Sequence, residues 1–160
     1  MNAETEDTSA WQRSIEKWNA MAKNTFWDYL GCQIAEIREG KVVVTLDIQP
    51  HHLNLIGIVH GGVHATLIDS AMGLVAMLAR PRDSVVTTNL SMNYVAKAER
   101  GRIEVTAEIV HSSRKSISTQ AYARMQNGEL CAFGTGTFRV IDGGEPQTKA
   151  AENGRGKGET

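Results

Sequence analysis

The sequence predicts an α+β domain in which an antiparallel β-sheet curls around one long central helix, with an extra helix at the N-terminal end. Three observations carry this. Residues 61–80 form a run of small and aliphatic side chains too long for a strand and apolar on nearly every helical face, as in a helix buried on all sides. Segments with period-two alternation flank it. In the plainest, Val42, Val44, Leu46 and Ile48 alternate with Val43, Thr45 and Asp47. Short turns separate the later strands, which favours a run of hairpins beside the helix.

In chain order, residues 1 to about 8 read as disordered. A helix is expected from Ser9, which can cap it, with Trp11, Ile15, Trp18 and Ala22 at helical spacing. Phe26, Trp27, Tyr29 and Leu30 follow as a compact aromatic turn closed by Gly31. With three tryptophans between positions 11 and 27, this arm is expected to dock on the main body or on a partner subunit. The domain division is residues 1–24 as arm and helix, 25–141 as the main domain, and 142–160 as a disordered, almost wholly non-apolar tail.

Strands are expected at about 31–38 and 41–49, turning at Glu39-Gly40 and ending at Pro50. His51 and His52 read as solvent-facing residues of the loop that leads to the glycines. After the helix, residues 84–95 alternate, with Val86, Thr88, Leu90, Met92 and Tyr94 on one face and Thr87, Asn89, Ser91 and Asn93 on the other. Ile103, Val105, Ala107 and Ile109 mark the next strand. Strands at 116–126 and 130–141 are joined by Gln126-Asn127-Gly128-Glu129, an Asn-Gly hairpin signal. One sheet cannot bury both of its faces, so a dimer or larger assembly is expected.

At 160 residues the chain fits one domain with a true core. A net charge of −1 gives no footprint for nucleic acid or an anionic membrane. Two cysteines, Cys32 and Cys131, make neither a disulfide framework nor a zinc set. The acidic start lacks the features of a secretory signal, and His64, Thr66, Asp69 and Ser70 argue against a membrane-spanning role for the apolar helix. A soluble cytoplasmic protein is expected.

The chemistry concentrates in the helix. It opens on His60-Gly61-Gly62, where no Ser, Thr or Asp occupies the unpaired amino-terminal N–H groups. Glycine lets a ligand approach the backbone, and the helix dipole favours an anion or a carbonyl oxygen that becomes one. Asp69 stands seven residues beyond Gly62 on nearly the same face, roughly 10 Å along the axis. An aspartate there serves as nucleophile, as general base or as a structural hydrogen-bond acceptor. If the glycine end and Asp69 serve one reaction, they must come from two subunits with their helices antiparallel. His60 and His64 are four residues apart, but no third ligand sits at a matching offset, and no metal is expected.

Asn54-Leu55-Ile56-Gly57-Ile58-Val59-His60-Gly61-Gly62, with Asp69 seven residues on, resembles the signature of hotdog-fold acyl-CoA thioesterases. The likeness is to the phenylacetate-degradation and 4-hydroxybenzoyl-CoA thioesterase groups, over about residues 26–141. It includes the final-strand run Gly134-Thr135-Gly136-Thr137-Phe138. The resemblance implies hydrolysis of an aryl, medium-chain or long-chain acyl-CoA, with no cofactor beyond the coenzyme A of the substrate. It implies that Gly61 donates its N–H to the thioester carbonyl, with Gly62 beside it, that Asn54 bonds near that carbonyl or holds the water, and that His60 supports the loop. Asp69 of the facing subunit would attack or activate water, which Thr87 positions. Thr88 is one residue away and would exchange with Thr87 on a one-residue slip. Arg114 and Lys115 would meet the coenzyme A phosphates. A dimer with shared sites, paired into a homotetramer, is also implied. A non-catalytic acyl-CoA binder or an enoyl-thioester hydratase are the alternatives.

Overall fold

The computed structural model describes residues 3–141, with side chains from Trp11 onward. Helix α1 spans Ala3–Ala22 and α2 spans Phe26–Leu30; β1 (Gln33–Arg38) and β2 (Lys41–Asp47) follow. After a 3-10 turn at Pro50–His52 comes α3 (Gly61–Ala79), then β3 (Ser84–Tyr94), β4 (Arg102–Ser112), β5 (Ser116–Met125) and β6 (Leu130–Ile141). The expected tail at 142–160 lies outside the described residues.

Two N-terminal expectations change. Helix α1 begins at Ala3, not Ser9. The aromatic turn is a one-turn helix, closed by Gly31 at φ +78°, whose N–H bonds back to the Asp28 carbonyl.

All six strands form one antiparallel sheet in the order β1-β2-β4-β5-β6-β3. The chain leaves β2, passes along the sheet as α3, and re-enters at the far edge as β3. Leu67, Ile68, Ala71, Met72, Val75 and Ala76 of α3 are fully buried against Val44, Leu46, Val105, Ile117 and Ala121. Each buried Leu, Ile or Val contributes about 1.5–3 kcal/mol, so this helix–sheet contact is a large share of the apolar core. Two glycines of β6 allow it. A Cβ at Gly134 would stand 2.7 Å from the Ser91 carbonyl, and one at Gly136 would stand 2.8 Å from the Met72 methyl.

Helix α3 is not buried all round. Ala65, Thr66, Asp69, Ser70 and Gly73 are half-buried and Gly62 is exposed, a stripe at three- and four-residue steps. A single sheet covers only one side of a helix. Because the stripe is made of small and polar residues, α3 presents no broad apolar surface there.

Strand β3 also departs from its expected pattern. Thr87 pairs with Phe138 and Asn89 with Thr137, leaving Thr88 as an extra residue in a β-bulge. The bulge reverses the alternation at that point. Val85 and Thr87 therefore join Leu90, Met92 and Tyr94 on the helix side, while Val86 is exposed. The expected grouping of Val86 and Thr88 with the apolar face is corrected accordingly. On its other side β3 has no strand neighbour among the described residues.

Candidate active site

The amino end of α3 is capped, contrary to the sequence reading. His60 is the N-cap, extended at φ −61° and ψ 138°, and its imidazole Nδ1 accepts the Gly62 N–H at 2.8 Å. The N–H groups of Val63 and His64 reach the His60 carbonyl at 2.9 and 3.4 Å. Of the four leading N–H groups, only that of Gly61 has no acceptor among the described residues. Sequence reasoning overlooked histidine as a cap because its acceptor nitrogen is available only in one neutral tautomer.

His60 is held in turn by His52, whose carbonyl accepts the His60 N–H at 2.9 Å. His52 is fully buried, not solvent-facing. Its Nδ1 accepts the Gln49 N–H and its Nε2 donates to the Leu30 carbonyl, both at 2.9 Å. Burial, then the neighbouring His51, pushes its pKa below the ordinary 6.5, which favours the neutral ring this double role requires. The end of α2, the 3-10 turn and the start of α3 are thus tied together through one residue, the first two by its imidazole and the last by its backbone carbonyl.

Asn54 organises the intervening loop. Its Oδ1 accepts the N–H groups of Ile56 and Ile58 at 3.0 and 3.3 Å, and its own N–H reaches the Ile58 carbonyl at 2.7 Å. This Asx turn occupies the carbonyl end of the side chain, so the amide NH₂ is the end left to meet a ligand. Tyr94, which the sequence did not single out, donates its hydroxyl to the Gly61 carbonyl at 3.2 Å. Its ring meets buried His64 edge-on, with centroids 6.3 Å apart. The His64 Nδ1 is buried without a hydrogen-bond partner, and burial holds its pKa below the ordinary 6.5. Asn54, Gly61, His64 and Tyr94 line one cavity at this end of the helix.

Asp69 lines a different cavity. Thr87 donates its hydroxyl to Asp69 Oδ1 at 3.0 Å, across the gap between β3 and α3. Oδ2 has no hydrogen-bond partner among the described residues. The bulge separates the two threonines: the Thr88 hydroxyl donates to the Thr137 carbonyl at 3.0 Å, away from Asp69. Within one chain the two cavities share no lining residue, so Gly61 and Asp69 do not meet.

Arg114 and Lys115 are exposed at the β4–β5 turn. That turn stands beside Arg80, whose guanidinium donates to the Ser113 carbonyl at 2.8 Å, so it lies at the opposite end of α3 from Gly61. The structure brings neither residue to Gly61 or Asp69. Among the described residues, no three of His, Cys, Asp and Glu converge as a metal site.

A family model described as the thioesterase superfamily matches residues 56–132, a span that holds Gly61, Gly62, Asp69 and Thr87 but not α1. Human acyl-coenzyme A thioesterase 13 is 30% identical over 135 residues, covering 81% of this chain and 96% of the relative. A 1,4-dihydroxy-2-naphthoyl-CoA hydrolase of Listeria monocytogenes is 29% identical over 94 residues, 58% of this chain and 74% of that one. A crystal structure of a Haemophilus influenzae thioesterase, 22% identical, superposes with a TM-score of 0.78 over 83% of this chain and 94% of its own, which shows the shared hotdog fold. A protein of Thermus thermophilus, 31% identical, gives 0.67 over 72% and 97%. A likeness at this level along nearly the whole of the human relative, on the same fold, leaves one conclusion: the chain belongs to the thioesterase superfamily and is an enzyme of that kind.

Proposed function

We propose that the protein hydrolyses acyl-CoA thioesters to the free acid and coenzyme A, at sites completed by two subunits. The observation that carries this reading is the separation within one chain of two complementary halves. One is an uncommitted N–H at a helix amino end, and the other a carboxylate with one oxygen held by Thr87. A thioester carbonyl needs both, because negative charge develops on its oxygen while water gives up a proton.

The free edge of β3 and the half-buried stripe on α3 support the pairing. Two copies joined edge to edge through β3 would set their α3 helices side by side and antiparallel. The Gly61 end of one would then face Asp69 of the other. In the reaction, Asp69 takes a proton from water as the oxygen attacks the thioester carbon. The Gly61 N–H and the helix dipole stabilise the resulting oxyanion. Collapse breaks the C–S bond, and the thiolate leaves as coenzyme A, taking up the proton that Asp69 had accepted and restoring the carboxylate. Thr87 donates to Oδ1 and keeps lone pairs with which to orient the water, and the Asn54 amide supplements the Gly61 donor. The route draws on water alone and no bound cofactor. Arg114 and Lys115 contribute positive charge for the phosphates of coenzyme A; their substitution by Ala should raise KM and leave kcat.

The test combines thiol release with subunit mixing. Gly61 is the first residue of α3, where proline is tolerated, and the extended His60 before it suits a following proline. Gly61→Pro removes the N–H while keeping the helix. Gly61→Pro and Asp69→Asn homodimers should each lose on the order of 10²–10³ in kcat. Mixed dimers should regain about one working site of two. Exchange of subunits without recovery would refute the shared site. Wild-type protein that binds acyl-CoA and releases no thiol would be a binding module.

A further inference from the structure

Helix α1 lies outside the segment matched to the family, yet it borders the Asp69 cavity. That cavity has a volume of about 420 Å³. Asp69 and Thr87 stand at one side, and Leu74 and Met77 carry the lining further along α3, roughly 12 Å from Asp69 by helix rise. Phe138 of β6 lies in its wall. The outer wall comes from the N-terminal arm: Trp18 and Met21 of α1, with Trp27 of α2.

The cavity opens on one side, and Trp, Met, Leu and Phe side chains make up most of its wall. An apolar cavity with one polar corner is the ordinary form of a small-molecule site. Among the described residues, Asp69 is the one charged side chain in the lining, and no Lys, Arg or His contributes. A ligand carrying a carboxylate at its far end would find no counter-charge. At roughly 30 Å³ per water-sized group, the space holds on the order of ten carbon-sized groups once its open side is set apart.

We propose that α1 is part of the active site: Trp18 and Met21, with Trp27, close the pocket for the acyl group and set its length, selecting an uncharged apolar acyl chain of medium length or a single aryl group. The inference rests on the assignment of Asp69 to thioester hydrolysis. It accounts for the half-buried state of Trp18 and Trp27, since what their cavity-facing sides meet is the substrate.

The experiment measures thiol release from butyryl-, octanoyl-, dodecanoyl-, palmitoyl- and phenylacetyl-CoA by the full chain. Wild type should favour octanoyl- or phenylacetyl-CoA. Trp18→Ala enlarges the pocket and should raise the palmitoyl-to-octanoyl ratio of kcat/KM at least tenfold. Met21→Trp, at a position 44% exposed and so tolerant in folding, should shift the profile the other way, toward butyryl-CoA. Trp11→Ala, on the same helix but outside the cavity lining, should leave the ratios unchanged. Retained activity with the same chain-length profile in both Trp18→Ala and Met21→Trp overturns the proposal. Should wild type release no thiol from any substrate, hydrolysis is refuted. The pocket is then read by calorimetry with thioether analogues of the same chain lengths, where an identical affinity ranking in wild type and both variants refutes the wall.

Discussion

The imidazole of His60 and the N–H of Gly62 meet at 2.8 Å, so the first histidine of the glycine motif is the helix cap. Its removal exposes a donor that competes with Gly61 for any ligand oxygen and loosens the turn. His60→Ala should lower stability by about 1 kcal/mol, the usual cost of a lost cap. It should also reduce kcat by more than that stability loss explains. His60→Asn, an equally good cap by type, should recover most of both. Urea unfolding and thiol-release kinetics on the three proteins check this.

The two threonines of the bulge should separate in kinetics. Thr87→Val removes a hydrogen bond to a carboxylate, about 1.5–3 kcal/mol, and should cost on the order of ten- to a hundredfold in kcat. Thr87→Ser should retain most activity. Thr88→Val removes a bond to the Thr137 carbonyl and should leave kcat within about threefold of wild type, the typical reach of an exposed hydrogen bond. Equal losses at the two positions would contradict the assignment.

Stability should fall on acidification through the histidine range. His52 and His64 both titrate below 6.5 in the folded protein, because burial disfavours their charged forms. The unfolded chain therefore binds protons as pH drops past 6.5 while the folded chain does not, and unfolding is favoured. Their contribution is complete above about pH 6.5 and is lost below it, toward the lower folded values. Urea midpoints at pH 7.5, 6.5 and 5.5 should decline in that order, and His52→Gln should flatten the trend at a lower overall stability.

The glycines of β6 should tolerate a methyl unequally. At Gly134 the new Cβ meets a backbone carbonyl at 2.7 Å, which cannot move without shifting β3. At Gly136 it meets the end of the flexible Met72 side chain. Gly134→Ala should cost about 1–3 kcal/mol or more, and Gly136→Ala clearly less. Thermal unfolding of the two variants measures the difference.

Much of the architecture was legible because it rests on local patterns. The alternation of Val42 to Ile48, the Asn127-Gly128 turn and the length of the apolar run at 61–79 each specify their element without help from the rest of the chain. Five-residue α2 was not legible, since so short a helix lacks a period to detect. The site divides the same way. Asp69 stood out as the charge on an apolar helix, whereas Thr87 entered only through a family likeness. His52 gave no signal, because its partners at Leu30 and Gln49 are brought to it by the fold. Tyr94 was missed for the same reason: its hydroxyl finds the Gly61 carbonyl 33 residues away.

The extra residue at Thr88 bears on how β3 tolerates changes of length. On either side of it, side chains obey opposite parity, so Thr87 and Leu90 both face the helix with two residues between them. Deleting Thr88 would make the pairing with β6 continuous from Ser84 to Tyr94, with Thr87 on the same side as before. Deleting Val86 instead would swing the residues before it to the opposite face and put Ser84 in place of Val85 beside the Asp69 carboxylate. The strand can lose a residue at the bulge and nowhere nearby, so indels rather than substitutions are the mutations that would trace the boundary of the site.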